Sequence, residues 1–133
     1  MKTFTNFFAI LVVVSCLALA CKKSSTTPTD NVINTTVTDN GKTIAVASGQ
    51  TVAVTLNNPI DGGYEFNTPI YDAGVLNLSS HTHTPGDINR TGDGGTDTFN
   101  FTSLKSGTTN LSITASRGKT DTISMFTAKV VVQ

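Results

Sequence analysis

Two histidines, a scatter of carboxylates and two cysteines are the groups in this chain with reactive chemistry to offer. His81 and His83 stand two apart, which on a strand puts both rings on one face. Such a pair ligates zinc or copper when further ligands join it, but no cysteine lies beyond Cys21 to do so. The pair is therefore expected as exposed polar residues on a strand, and no metal or other cofactor is expected. Asp87, Asp93 and Asp97 flank a glycine run, yet their spacing does not match a calcium-binding EF-hand loop. No Gly-x-Ser-x-Gly elbow occurs, so an enzyme is not expected. What stands out instead are two turn-rich stretches, Asn58-Pro59-Ile60-Asp61-Gly62-Gly63-Tyr64-Glu65-Phe66 and Gly92-Asp93-Gly94-Gly95-Thr96-Asp97-Thr98-Phe99, each running into an aromatic-bearing strand. Pro59 fixes its own φ and holds Asn58 extended. Gly62 and Gly63 permit positive φ and close approach of another backbone. Taken singly, each stretch is also an ordinary turn or hairpin tip.

The elements that must carry these loops alternate at period two almost throughout, and helical spacing is nowhere sustained. Residues 42–47 place Ile44 and Val46 on one face, and Ser48-Gly49-Gln50 turns the chain. Residues 51–56 follow, with Val52, Val54 and Leu56 inward and the threonines and Ala53 outward. Further strands are expected over 64–68, 75–84 (Leu76 and Leu78 on one face), 96–102 (Phe99 and Phe101), 109–116 (Leu111, Ile113 and Ala115) and 122–132. Seven to eight short strands separated by turn signals indicate an all-β, immunoglobulin-like β-sandwich. Phe99, Phe101, Phe126 and the aliphatic stripes must form its core, because there is no tryptophan and no cysteine pair in the domain. In such a sandwich alternate connections gather at one end, here the loops over 57–63, 85–95 and 117–121. Lys and Arg number 9 against 9 Asp and Glu, so no basic face invites nucleic acid.

With both stretches in order, residues 43–132 resemble the chagasin family, protein inhibitors of papain-like cysteine peptidases. The family's first contact loop follows Asn-Pro-Thr-Thr-Gly-Tyr/Phe-x-Trp; Asn58, Pro59, Gly63, Tyr64 and Phe66 fill its places, with Ile60-Asp61-Gly62 replacing the threonines and adding one residue. The run from Gly92 through Gly94-Gly95-Thr96, Thr98-Phe99-Asn100-Phe101 and the Leu104-Lys105-Ser106-Gly107 corner follows the family closely. A third family loop, usually Arg-Pro-Trp, is here Arg117-Gly118-Lys119, which keeps the arginine and lacks the aromatic anchor. The resemblance implies peptidase contacts from Asn58, Pro59, Ile60, Asp61, Gly62, Gly63, Tyr64 and Phe66, from Gly92, Asp93, Gly94, Gly95 and Thr96, and from Arg117, Gly118 and Lys119. It implies a monomer whose first loop enters the catalytic cleft without presenting a cleavable bond, flanked by the other two. On that reading, Gly63→Pro or a bulky residue at Gly94 abolishes binding with little change in melting temperature. The alternative is a non-inhibitory immunoglobulin-like module that uses the same edge for a protein or glycan, with Tyr64 or Tyr71 stacking on a sugar.

The N-terminus bears on location. Lys2 precedes an apolar run over 7–20, shorter than the roughly 20 residues that span a bilayer, so residues 1–20 have the form of a signal peptide. Ala18-Leu19-Ala20-Cys21 followed by Lys22-Lys23-Ser24-Ser25 resembles the lipobox and spacer of a bacterial lipoprotein; Val13-Val14-Ser15-Cys16 is a second, shorter candidate. A single cysteine beside the cleavage point favours lipid attachment at Cys21, and plain cleavage leaving that thiol free is the alternative. Residues 21–40, rich in Ser, Thr, Asn and Asp, are expected to be a flexible tether, with Val32, Ile33 and Val37 able to add a first strand late on. The domain is then expected over 41–133, lipid-anchored at the bacterial envelope and facing either periplasm or exterior.

Overall fold

The computed structural model describes residues 31–133, and the expected signal peptide, Cys21 and the first part of the expected tether lie outside them. Among the described residues, eight strands form two four-stranded sheets. One sheet runs β1 (Val32–Thr35), β3 (Thr51–Asn57), β6 (Thr96–Ser103), β5 (Leu76–Thr84). The other runs β2 (Thr43–Val46), β8 (Asp121–Val132), β7 (Gly107–Arg117), β4 (Glu65–Phe66). The β1–β3 and β2–β8 pairs are parallel, and the remaining pairs are antiparallel.

The period-two stripes meet between the sheets as expected. Val52, Val54, Leu56, Leu76, Phe99 and Phe101 face Leu111, Ile113, Phe126 and Val130 across the interior, each no more than 1% exposed. Fully burying a side chain of this size contributes about 1.5–3 kcal/mol, so this set is the main source of stability.

Three details depart from the sequence pattern. The sandwich begins at Val32 rather than at residue 41, because residues 32–35 pair in parallel register with Thr51–Val54 of β3. Thr35 is buried there and donates its hydroxyl to the Ala53 carbonyl at 3.1 Å. A polar stretch that could not fold alone is ordered by adding to a sheet edge already in place. Ala53, expected on the open face, is only 4% exposed. Its methyl lies in register between the larger Asn34 on β1 and Asn100 on β6. Finally, β5 carries an irregularity between Leu78 and Ser80, beyond which its inward and outward positions exchange.

The edge strand β4 has only two residues, so the second sheet leaves the far half of β5 partly uncovered. The three loops of interest leave the sandwich around that opening.

Candidate functional site

The first loop is a one-turn 3-10 helix over Pro59–Gly62, and its sequence dictates it. Asn58 is extended and its Oδ1 accepts from the Ile60 amide at 2.8 Å, capping the turn, with Pro59 in the first helical position. Gly63 closes the turn at φ 73°, donating its N–H to the Ile60 carbonyl at 2.7 Å. Ile60, Asp61, Gly62 and Gly63 are exposed, and Ile60 presents the apolar group of the tip at 58% exposure.

The second loop, residues 85–95, packs against one side of the first. The Asn58 N–H donates to the Gly95 carbonyl at 2.9 Å. A methyl added at Gly94 would stand 3.0 Å from both the Asn58 carbonyl and Ile60 Cγ2. Gly95, at φ 79°, lies so close to the Thr84 carbonyl that no side chain fits. Asp93 accepts from the Gly95 amide at 3.1 Å and the Asp87 amide at 3.1 Å, and these bonds hold its carboxyl below the ordinary carboxylate range. The loop's tip carries Ile88, fully exposed, which the sequence reading did not single out. Between the two loops lies a polar hollow of about 240 Å³ lined by Asn58, Arg90 and 91–96. It is smaller than the roughly 300–1,000 Å³ usual for a small-molecule site.

The third loop, 117–121, closes the β7–β8 hairpin on the other side of the first. Arg117 reaches back rather than outward: Nη2 donates to Asp121 Oδ2 at 2.8 Å, Nη1 to the Gly62 carbonyl at 3.4 Å. Its guanidinium lies 5.0 Å from the Tyr64 ring centroid. The Tyr64 hydroxyl donates to the same Asp121 oxygen at 2.7 Å. That bond, with help from Arg117, lowers the Asp121 pKa, and the same bond raises the pKa of Tyr64. Gly118 (φ 63°) and Lys119 form the exposed tip.

The loops therefore stand side by side with the first in the centre, as expected from the alternation of sandwich ends. The two glycine substitutions expected to spare stability are corrected by the contacts. Proline at Gly63 cannot adopt positive φ and removes the amide that closes the turn. Bulk at Gly94 pushes the first two loops apart.

Beneath the first loop lies a cluster that the sequence reading missed. Asp97, 3% exposed, receives Asn58 Nδ2 at 2.6 Å, His81 Nε2 at 2.6 Å and His83 Nδ1 at 3.0 Å. An ionised carboxylate only accepts, so both histidines carry their protons on the nitrogens facing it. Burial opposes the charge, but the bonds from His83, Asn58 and His81 prevail and hold the carboxyl below its ordinary value. The histidine side chains are 41% and 45% exposed, so they are surface residues as expected, but bonded ones. The rings engage opposite carboxylate oxygens, and among the described residues no group of three His, Cys, Asp or Glu could hold a metal ion. His81 also stacks on Phe99 (centroids 4.0 Å apart), while Phe66 meets Phe99 edge-on at 5.1 Å. Period two held a clue: Asp97 shares the inward face of Phe99 and Phe101. Tyr71, offered as a sugar platform, packs edge-on against Phe101 and accepts the Leu78 amide through its hydroxyl.

Comparison with known proteins agrees with this fold. Two solved structures share the fold: the cysteine protease inhibitor EhICP2 from Entamoeba histolytica, at 20% identity and TM-score 0.65, over 77% of this chain and 96% of that one, and Amebosin, at 21% identity and TM-score 0.59, over 75% and 96%. No curated protein matches the sequence. The profile described as "Chagasin family peptidase inhibitor I42" matches residues 45–130, which take in nearly the whole sandwich and all three loops. By that match over more than half its length, the chain belongs to the chagasin family of peptidase inhibitors.

Proposed function

We propose that this protein is a reversible inhibitor of papain-like cysteine peptidases that works by occluding the catalytic cleft. The observation that carries this reading is the central first loop, capped by Asn58, closed by Gly63 and supported from both sides by the other loops. A loop already fixed in its bound shape loses little entropy on docking, which is how small contact surfaces achieve tight binding. The Pro59–Gly62 tip with exposed Ile60 enters the cleft, and its 3-10 geometry withholds the extended backbone that a peptidase needs for cleavage. The 85–95 loop, led by Ile88, meets one wall, and Gly118 and Lys119 meet the other. Interfaces of this kind bury about 1,600 Å².

The third loop contributes least, because its arginine is committed to Tyr64 and Asp121 and it offers no aromatic anchor. The inhibitor acts from a bacterial membrane, held by lipid on Cys21 and spaced from it by the residues up to Val32. The test is titration of papain and related peptidases with the chain from Ser24 onward, following a fluorogenic peptide. Competitive inhibition without loop cleavage is expected; absence of inhibition across several such enzymes would reject the reading. Labelling with radioactive palmitate, lost in Cys21→Ser, tests the anchor separately, and unchanged labelling in that variant would reject it.

A further inference from the structure

The two ends of the central loop are fixed by different means. At its C-terminal end, Tyr64 is tied to Asp121 and Phe66 packs on Phe99. The N-terminal end rests on one residue, Asn58. Its Oδ1 caps the turn, its N–H holds the second loop, and its Nδ2 is left for Asp97. An amide whose oxygen must face the turn has to present its NH₂ to an acceptor, and the acceptor supplied is a buried carboxylate. Burying that carboxylate is costly unless it is fully bonded. His81 and His83 complete it.

These two rings reach Asp97 because of the β5 irregularity. In unbroken register with Leu76 and Leu78 they would point to the opposite face; past the irregularity His81 stands opposite Phe99 and His83 opposite Asp97. The titratable groups bonded to Asp97 are thus the two histidines of β5. From β3 the register partner is uncharged Leu56, and the loop contributes only neutral Asn58.

We infer that Asp97 is the positioning residue of the first contact loop: the carboxylate, braced by His81 and His83, orients Asn58 and thereby fixes the turn offered to a peptidase. The role in inhibition rests on the proposed function, whereas the ordering of the loop does not, and the two are measured separately.

The experiment compares the full chain with Asp97→Asn, Asp97→Glu and the double variant His81→Gln/His83→Gln. Readouts are amide hydrogen exchange at Ile60 and Gly63, the inhibition constant against papain, and cutting of the 58–64 loop during long incubation. In Asp97→Asn the core amides of Val54 and Phe101 are expected to stay protected. Ile60 and Gly63 exchange at least tenfold faster, inhibition weakens at least tenfold, and the loop becomes a slow substrate. The longer Asp97→Glu recovers part of each effect, and the double histidine variant falls between wild type and Asp97→Asn. Unchanged exchange at Ile60 and Gly63 in a folded Asp97→Asn chain overturns the inference. If that variant does not fold, the wild type decides. Asn58 side-chain amide protons that exchange slowly and shift as the Asp97 carboxyl titrates support it, and freely exchanging, pH-insensitive ones overturn it. Wild-type failure to inhibit papain, together with the expected exchange pattern, upholds the positioning role and removes the inhibitory reading instead.

Discussion

Ile60 and Gly95 stand on the same loop edge, yet substitution separates their roles. Ile60 is exposed at the tip of a turn capped by Asn58 and closed by the Gly63 amide, and its side chain takes part in neither bond. Ile60→Ala is expected to weaken inhibition about 5- to 30-fold, equivalent to roughly 1–2 kcal/mol of interface energy. Folding stability should stay within about 0.5 kcal/mol, as judged from the urea midpoint. Gly95 combines positive φ with a backbone wall where a Cβ would sit. Gly95→Ala should cost at least about 2 kcal/mol of stability, seen as a lower midpoint at unchanged slope, with inhibition lost only in proportion to unfolding. The sequence singles out both residues, on two separate glycine-bearing stretches. Their division of labour was not legible there, because it depends on which backbone atoms approach across the chain.

At the scale of elements, the decisive features are the two-residue β4 and the irregularity in β5. On the short β4, Phe66 meets Phe99 and His81 edge-on, so it anchors the far end of the loop. Phe66→Ala should cost about 1–3 kcal/mol of stability, since the ring is half-buried, and should weaken inhibition by more than the stability loss explains. Parallel measurement of melting temperature and inhibition constant checks this; a purely proportional loss would confine Phe66 to the core. Strands with clean alternation, β6 and β7, were readable from residue type because each buries one face. The irregularity in β5 was not readable. The run Ser79-Ser80-His81-Thr82-His83 has no apolar residue to mark its inner face, so nothing local reveals a change of register. The histidine role was lost with it. β1 was legible only as an optional late strand of the tether, for a related reason: its order comes from the edge of β3, not from its own composition.

For the molecule as a whole, the loop edge is held by carboxylates, and its pH response follows from them. Asp93, Asp97 and Asp121 all have pKa values lowered from the ordinary 3.8. A lowered folded-state pKa means stabilisation that is complete above the unfolded value and is lost as pH falls through the folded one. These three groups therefore cost the protein nothing between pH 7 and pH 5 and begin to release the loops only below about pH 4. Thermal unfolding of wild type and Asp97→Asn across that range should converge as pH falls; a gap that stays constant down to pH 2 would contradict the assignment. The sandwich and the loop end were legible because they follow from alternation and turn chemistry spread over the whole domain. The bonds that tie the loops together were hidden because each joins residues far apart in sequence. The most direct test of the account is competitive titration of papain-like peptidases with the chain from Ser24 onward, alongside a variant with residues 59–62 replaced by Gly-Ser-Gly-Ser. Inhibition at nanomolar to low micromolar concentration, with the loop uncut and inhibition lost in the replaced variant, is the predicted result. No inhibition of several such enzymes, or inhibition indifferent to the replaced loop, would contradict it.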